Sequence, residues 1–101
     1  MRSNYAVVWR EGDGPLARGR LELLPGGLEL DGLAGSEHVT LAIGYDELAG
    51  VRIGRSSDER LNGHPSLLLD RVDGEPIVLA SVALQGVVAE LATHLAGCAA
   101  A

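Results

Sequence analysis

The chain has 101 residues, and its formal net charge at pH 7 is −6, from 14 acidic and 8 basic residues. Hydrophobic residues make up 47% of it, so it can bury a core, and its length fits one domain. The acidic balance argues against nonspecific nucleic-acid binding, which depends on a basic surface. No apolar run reaches the about 18 residues that span a membrane, and no signal-peptide core follows the N-terminus.

Strand patterns dominate the first 80 residues, each bounded by Gly, Pro, Asp or Asn. In the second predicted strand, Arg20 and Glu22 alternate with Leu21 and Leu23, the period of a strand with one buried face. Val51 and Ile53 of the fifth strand are expected to point inward, on the same argument. The predicted strands cover residues 5–10, 16–24, 28–31, 38–43, 48–55, 66–72 and 76–80.

The segments between these strands read as turns and loops. Residues 25–27 predict a tight turn, residues 32–37 a loop, and Asp73-Gly74 a hairpin turn. Residues 56–65 are the longest polar segment. For that segment we favour a solvated connection over a binding loop, because most loops only connect.

From Val82 onward the period becomes helical. Leu84, Val87, Leu91 and Leu95 form one apolar stripe, with Ser81 and Gly97 as expected N-terminal cap and C-terminal stop. A single helix has to cover the sheet. We therefore predict a mainly β (α+β) fold, a curled antiparallel barrel of about seven strands capped by one C-terminal amphipathic helix. Residues 1–97 form the single domain, and 98–101 a short disordered tail.

Cysteine and histidine usage predicts neither a disulfide nor a metal site. Cys98 is the single cysteine, and His38, His64 and His94 have no metal-ligand spacing. We expect each histidine to be a surface or hairpin residue. No cofactor is expected, and the reduced cysteine favours a cytoplasmic protein.

Two segments resemble strands of the pleckstrin-homology-like (PH-like) barrel. Residues 19–30, GRLELLPGGLEL, resemble its second and third strands. Residues 39–51, VTLAIGYDELAGV, resemble its fourth strand, a bend and its fifth strand, where bacterial members repeat Ile-x-Tyr-x-x-Ile/Leu-x-x-Val. With the strand order, the resemblance covers roughly residues 4–97. It implies a binding or assembly module rather than an enzyme, and the Lys-free composition suggests a bacterial source.

Three arginines occupy the places of the basic residues that hold an inositol phosphate in PH domains. Arg10 ends the first strand, and Arg18 and Arg20 open the second. Guanidinium groups can grip a phosphate by paired hydrogen bonds, but Glu11 and Asp13 in the intervening turn would repel an anion. The favoured interpretation is therefore exposed arginines paired with acidic neighbours. The alternative is an anionic head group or small ligand bound at the open barrel end.

The far side of the predicted helix carries small residues, among them Gly86, Ala89, Ala92 and Ala96, beside Glu90 and His94. Small residues let another backbone approach closely, so Ala89, Ala92 and Ala96 are a candidate interface for self-association. The high helix propensity of alanine explains them equally well.

The motifs of nucleophilic catalysis and of phosphate-binding loops are missing from the sequence. We therefore expect a non-enzymatic module that acts through protein partners or self-association, without nucleic acid. Contact with a membrane surface stays open but is not favoured. A small enzyme with a cavity in the barrel is a third hypothesis, which an interior filled by Leu, Val and Ile would weaken.

Overall fold

The computed structural model describes residues 3–54 and 66–99, which form one antiparallel sheet and one helix. The predicted mainly β fold, with seven strands followed by a C-terminal helix, is confirmed. The predicted polar segment 56–65 lies outside the described residues. The elements are β1 (Ser3–Glu11), β2 (Ala17–Leu23), β3 (Gly27–Ala34), β4 (Glu37–Gly44), a 3-10 turn (Tyr45–Glu47), β5 (Leu48–Gly54), β6 (Ser66–Arg71), β7 (Ile77–Ala80) and α1 (Leu84–Ala99).

The seven strands follow the order β4-β3-β2-β1-β7-β6-β5, and every neighbouring pair is antiparallel. The sheet curls into a half-barrel, and β4 and β5 form its two edges. Curling lets so small a sheet bury its apolar face against itself and the helix.

Strand alternation places the core on the concave side. Leu21 and Leu23 are buried as predicted, and Arg20 between them is exposed. Val51 packs against the core, but Ile53 is 36% exposed although it was expected inward. Ile53 pairs with buried Leu67, so it lies over the correct face; its exposure follows from the position of β5 at the sheet edge.

The segment 32–37 is the main error of the strand assignment. Only Gly35 and Ser36 form a turn there, since β3 continues to Ala34 and β4 begins at Glu37. Gly35 has φ +65°, the left-handed conformation that lets so short a hairpin close. Gly32 looked like the start of a loop, yet it is a strand residue.

Gly32 belongs to a strand because of the residue opposite it. It pairs with Gly19 of β2, and a Cβ on Gly19 would overlap the carbonyl oxygen of Asp31. A Cβ on Gly32 would likewise overlap the carbonyl oxygen of Arg18. Two facing glycines therefore allow a backbone approach that side chains with a Cβ would prevent.

The helix departs from the prediction at both ends. It begins at Leu84, after a turn in which the Ser81 hydroxyl accepts the N–H of Ala83 at 3.1 Å and donates to the Ala6 carbonyl at 2.8 Å. Ser81 thus caps the turn that leads into the helix. At the other end, α1 continues through Gly97 to Ala99, so Gly97 is not the stop. Glycine ends a helix only where it adopts a left-handed conformation.

The predicted stripe packs α1 on the sheet. Val87 and Leu91 are buried, and Leu84, Val88 and Leu95 pack against the core. Each buried Leu or Val contributes about 1.5–3 kcal/mol relative to full exposure.

A polar seam runs beside this stripe. The Tyr5 hydroxyl donates to Glu90 Oε1 at 2.9 Å, and His94 Nε2 lies 3.6 Å from Glu90 Oε2. The His94 ring stacks on Tyr45 at 5.7 Å between centroids, and the Tyr45 hydroxyl donates to the Leu24 carbonyl at 2.7 Å. Glu90 and His94 therefore face the sheet, although the sequence places them on the far side of the helix, and His94 is only partly exposed.

The facing glycines generate a stability prediction. Gly19→Ala is expected to destabilise the fold by about 3 kcal/mol, because the added Cβ meets backbone that cannot move without separating β2 from β3. Urea denaturation measures the loss. The matched control is Gly26→Ala, since a Cβ there has nothing within 4 Å. Equal stability of the two variants would contradict the close approach.

The seam generates a second prediction. Tyr5→Phe removes the hydrogen bond to Glu90 and is expected to cost about 1 kcal/mol. The hydrogen bond to Glu90, the burial of the Tyr5 hydroxyl and the negative charge of Glu90 all raise the pKa of Tyr5 above its ordinary value. Because the folded pKa is the higher one, this contribution is complete below the ordinary tyrosine pKa and is lost as pH rises through the folded pKa.

Denaturation of the wild type and Tyr5→Phe between pH 7 and pH 11 tests this linkage, with absorbance at the tyrosinate band reporting the ionisation. The stability difference between the two proteins should shrink at the alkaline end. A difference that stays constant across that range would exclude the linkage.

Candidate functional site

The outer face of the sheet, which we define as the face opposite the core, changes character along the strand order. On β1, Val7 and Trp9 are buried, so Ala6, Val8 and Arg10 point outward. Val8 stands opposite Arg18 on one side and Ala80 on the other. The outer face around β1 and β7 is therefore apolar, with basic side chains along it.

A groove of about 420 Å³ lies over this apolar part. We call it the outer groove; its lining includes Ala6, Val8, Arg18, Ala80, Ser81 and Val82. Val82 is 100% exposed, and it lies in the turn before α1. Sequence reasoning missed this groove, since neither strand alternation nor helical period shows where β1 and the β7–α1 turn meet.

The three predicted arginines do lie on one face, but it is the outer face. Arg18 pairs with Val8, Arg20 pairs with Ala6, and Arg10 follows Val8 at the next outward position. The cleft beneath the β1–β2 turn, about 200 Å³, is lined by Trp9, Glu11 and Ala17 among others and by none of these arginines. Their strand parity is opposite to that of buried Trp9 and Ala17, which fits the favoured interpretation of outward-facing arginines rather than the alternative at the open barrel end.

The arginines differ in what they contact. Arg20 Nη2 lies 3.8 Å from Asp31 Oδ2, as the pairing with an acidic neighbour requires. Arg10 is half-buried, and its Nε is buried without a hydrogen-bond partner. Arg18 is exposed and makes no ion pair within residues 3–54 and 66–99. Of the three, Arg10 and Arg18 are thus the two without an acidic partner among the described residues.

The outer face of β2, β3 and β4 carries charges of both signs. Asp31 lies 2.6 Å from His38 Nε2 through Oδ1, besides its contact with Arg20. Glu22 and Glu29 stand opposite each other across β2 and β3. A trough of about 310 Å³ crosses this region. Arg18 therefore marks the border between an apolar half and a charged half of the outer face.

The helix presents a separate surface. Ala89, Ala92 and Ala96 are exposed, as the predicted interface requires, whereas Gly86 lies beside Tyr5, whose ring is 3.5 Å from the position of a Cβ there. These alanines share no site with the arginines. Within the described part of the chain, no three His, Cys, Asp or Glu side chains group as metal ligands, and no helix has the length and apolarity to cross a membrane.

No protein-family model matches the chain, and no curated protein matches it in sequence. Among solved structures, it is similar to the crystal structure of the C-terminal domain of an unknown protein from Leishmania infantum. The TM-score is 0.72 at 17% identity, over 92% of this chain and 81% of that one. At that identity the likeness shows the fold alone. The curled seven-stranded half-barrel with its C-terminal helix fits the PH-like fold.

Proposed function

We propose that this domain is a non-enzymatic PH-like binding or assembly module that acts through a protein partner or self-association. The observation that carries the proposal is the outer groove, an apolar depression beside the fully exposed Val82. An exposed apolar surface rimmed by polar groups is typical of an interaction site.

The rest of the molecule supports a binding role. The concave side of the sheet is filled by a cluster dominated by Leu, Val and Ile, which leaves little room for a reaction inside the half-barrel. The outer groove, by contrast, has an apolar floor from Ala6 and Val8 and a cation, Arg18, on its wall. Such a groove suits an apolar side chain of a partner, flanked by an acidic one.

The source and location of the protein are part of the proposal. The pattern Ile43-x-Tyr45-x-x-Leu48-x-x-Val51 supports placing it with the bacterial PH-like domains. Tyr45 and Leu48 have structural tasks in that pattern, since one stacks on His94 and the other packs against the core. We propose a cytoplasmic location on the single cysteine.

Photo-crosslinking tests the groove. A benzophenone side chain in place of Val82 is expected to crosslink one defined partner, or a second copy, in an extract of the native host cell. Adding Val8→Asp should lower the yield by about tenfold or more, because a carboxylate in the groove floor opposes burial of an apolar group. Mass spectrometry of the crosslinked product gives the partner and the yield.

Two further positions control this experiment. Asp73, exposed in the β6–β7 turn, should give no defined product. Ala92, on the exposed helix face, reports the alternative interface of Ala89, Ala92 and Ala96. A defined product from position 92 and none from position 82 would move the proposed interface from the groove to the helix.

A second candidate function is binding of an anionic head group or small ligand by Arg10, Arg18 and Arg20. The unpartnered Nε of Arg10 and the unpaired Arg18 favour it. The acidic neighbours Glu22, Glu29 and Asp31 oppose it. If it holds, Arg10 and Arg18 carry the site, and Arg20 contributes less because Asp31 already engages it.

Thermal denaturation at low ionic strength, with inositol hexakisphosphate or inorganic phosphate as probe, tests this alternative. A ligand of the folded state raises the melting temperature, and Arg18→Ala or Arg10→Ala is expected to abolish that rise, whereas Arg20→Ala keeps most of it. Melting without probe controls for the stability of each variant. An unchanged wild-type melting temperature with both probes excludes the alternative.

A further inference from the structure

Strand β4 leaves one side of its backbone unpaired, and the hairpin geometry identifies which groups lie on that side. Only Gly35 and Ser36 separate β3 from β4, so Ala34 and Glu37 form the hydrogen-bonded pair that closes the turn. Hydrogen-bonded and non-hydrogen-bonded pairs alternate along an antiparallel ladder. The N–H and C=O groups of Val39, Leu41 and Ile43 therefore face β3, and those of His38, Thr40 and Ala42 face the open edge.

The two sheet edges differ in how well they would template another strand. Edge strand β5 has a register shift between Leu48 and Gly50. It also contains two glycines, Gly50 and Gly54, and the exposed Arg52. Bulges and charges of this kind protect an edge. Edge strand β4 pairs with β3 without a shift over its whole length and contains no proline. Residues 39–44, VTLAIG, carry no charge in a chain with 14 acidic residues.

An uncharged edge of high β-propensity is an aggregation hazard unless a native partner covers it. The side chains at this edge are also incompletely covered. Val39 and Leu41 belong to the core side of β4 but are only half-buried, whereas Ile43 is buried. A strand laid beside β4 would cover both.

We propose that β4 pairs with β4 of a second copy, antiparallel and centred on Leu41, to form a symmetric dimer with a continuous sheet. This inference rests on the proposed function, since it names the self-association. The register follows from two requirements. Even-numbered residues must face even-numbered ones, because only their backbone groups reach the open edge. Glu37 must also not face an apolar core-side residue within β4 of the other copy, which ends at Gly44.

The register centred on Leu41 meets both requirements. Thr40 stands opposite Ala42 of the second copy in a hydrogen-bonded pair, and both outward side chains are small. Leu41 meets its own equivalent, and Val39 meets Ile43, so the apolar side of the edge is self-complementary. Centring the pair on Thr40 instead would set Glu37 against Ile43. A two-fold axis closes the assembly at two copies, so the edge cannot propagate into a filament.

Light scattering behind size exclusion, over a concentration series, tests the dimer. The wild type is expected to reach twice the 10.5 kDa monomer mass. Thr40→Pro removes an N–H that faces the open edge and leaves the hydrogen bonds to β3 intact, so this variant should stay at the monomer mass. Thr40→Val keeps the N–H at the same position and should dimerise like the wild type.

Amide hydrogen exchange on the wild type keeps the test decisive if Thr40→Pro fails to fold. In the dimer, the amides of Thr40 and Ala42 should exchange about tenfold or more slowly than at dilutions where the monomer predominates. The amides of Leu41 and Ile43 should be protected at every concentration, because β3 holds them.

Several results would overturn the proposal. One is a wild type that remains monomeric into the millimolar range. Another is a dimer that persists in the Thr40→Pro variant. A third is a dimer in which the amides of Thr40 and Ala42 exchange as fast as in the monomer. A monomer that still crosslinks a different protein from position 82 overturns the dimer and leaves the proposed binding function standing. Loss of the groove crosslink with an intact dimer removes the outer groove as an interface and leaves the dimer standing.

Discussion

The close approach of β2 and β3 at Gly19 and Gly32 is the constraint on which the remaining structure depends. The paired glycines sit where a Cβ on either one would overlap backbone of the opposite strand. With β2 and β3 held this close, Leu21 of β2 and Leu30 of β3 belong to one core cluster. A flatter sheet would leave that face open to water, and a single helix could not cover it.

Enclosing the core on one side leaves the outer face free to interact. Side chains alternate along β1 and β2, so Trp9 and Ala17 point into the core. The same alternation directs Arg10 and Arg18 to the outer face, and it therefore determines both the core packing and the chemistry of the surface. The apolar part of that surface persists because β1 and β7 lie at the middle of the strand order, where Val8 has neighbours on both sides. The polar seam from Tyr5 to Tyr45 fixes α1 and with it the turn that exposes Val82.

Local patterns were sufficient to predict most of the fold. Alternation gave the strands, a change of period gave the helix, and the buried stripe from Val87 to Leu91 followed directly. The errors arose where a residue's task depends on a partner distant in sequence. Gly32 looked like a loop residue because its pairing with Gly19 is invisible until the register is known.

The same limit applies to the candidate site. Helical spacing placed Glu90 and His94 on the exposed side, although residues more than forty positions earlier, Tyr5 and Tyr45, engage them. Strand alternation favoured outward-facing arginines but left the open barrel end as an alternative, since the choice between mouth and outer face depends on how the strands curl. Nothing local predicts the outer groove, because it forms where β1 meets the turn after β7.

The outer groove and the β4 edge do not compete for space. Strands β2 and β3 separate β4 from β1 in the sheet, and the β4 edge involves backbone groups rather than the face that holds the groove. In the proposed dimer each copy therefore keeps its groove, and the pair presents two of them in a fixed relation.

A groove of about 420 Å³ that takes one apolar side chain binds a partner weakly on its own. Two grooves held on one continuous sheet bind a two-site partner more tightly, because filling the first groove raises the effective concentration of the partner at the second. In this proposal, self-association through β4 and recognition through the groove are parts of one arrangement, in which the dimer supplies the second binding site that a shallow groove requires.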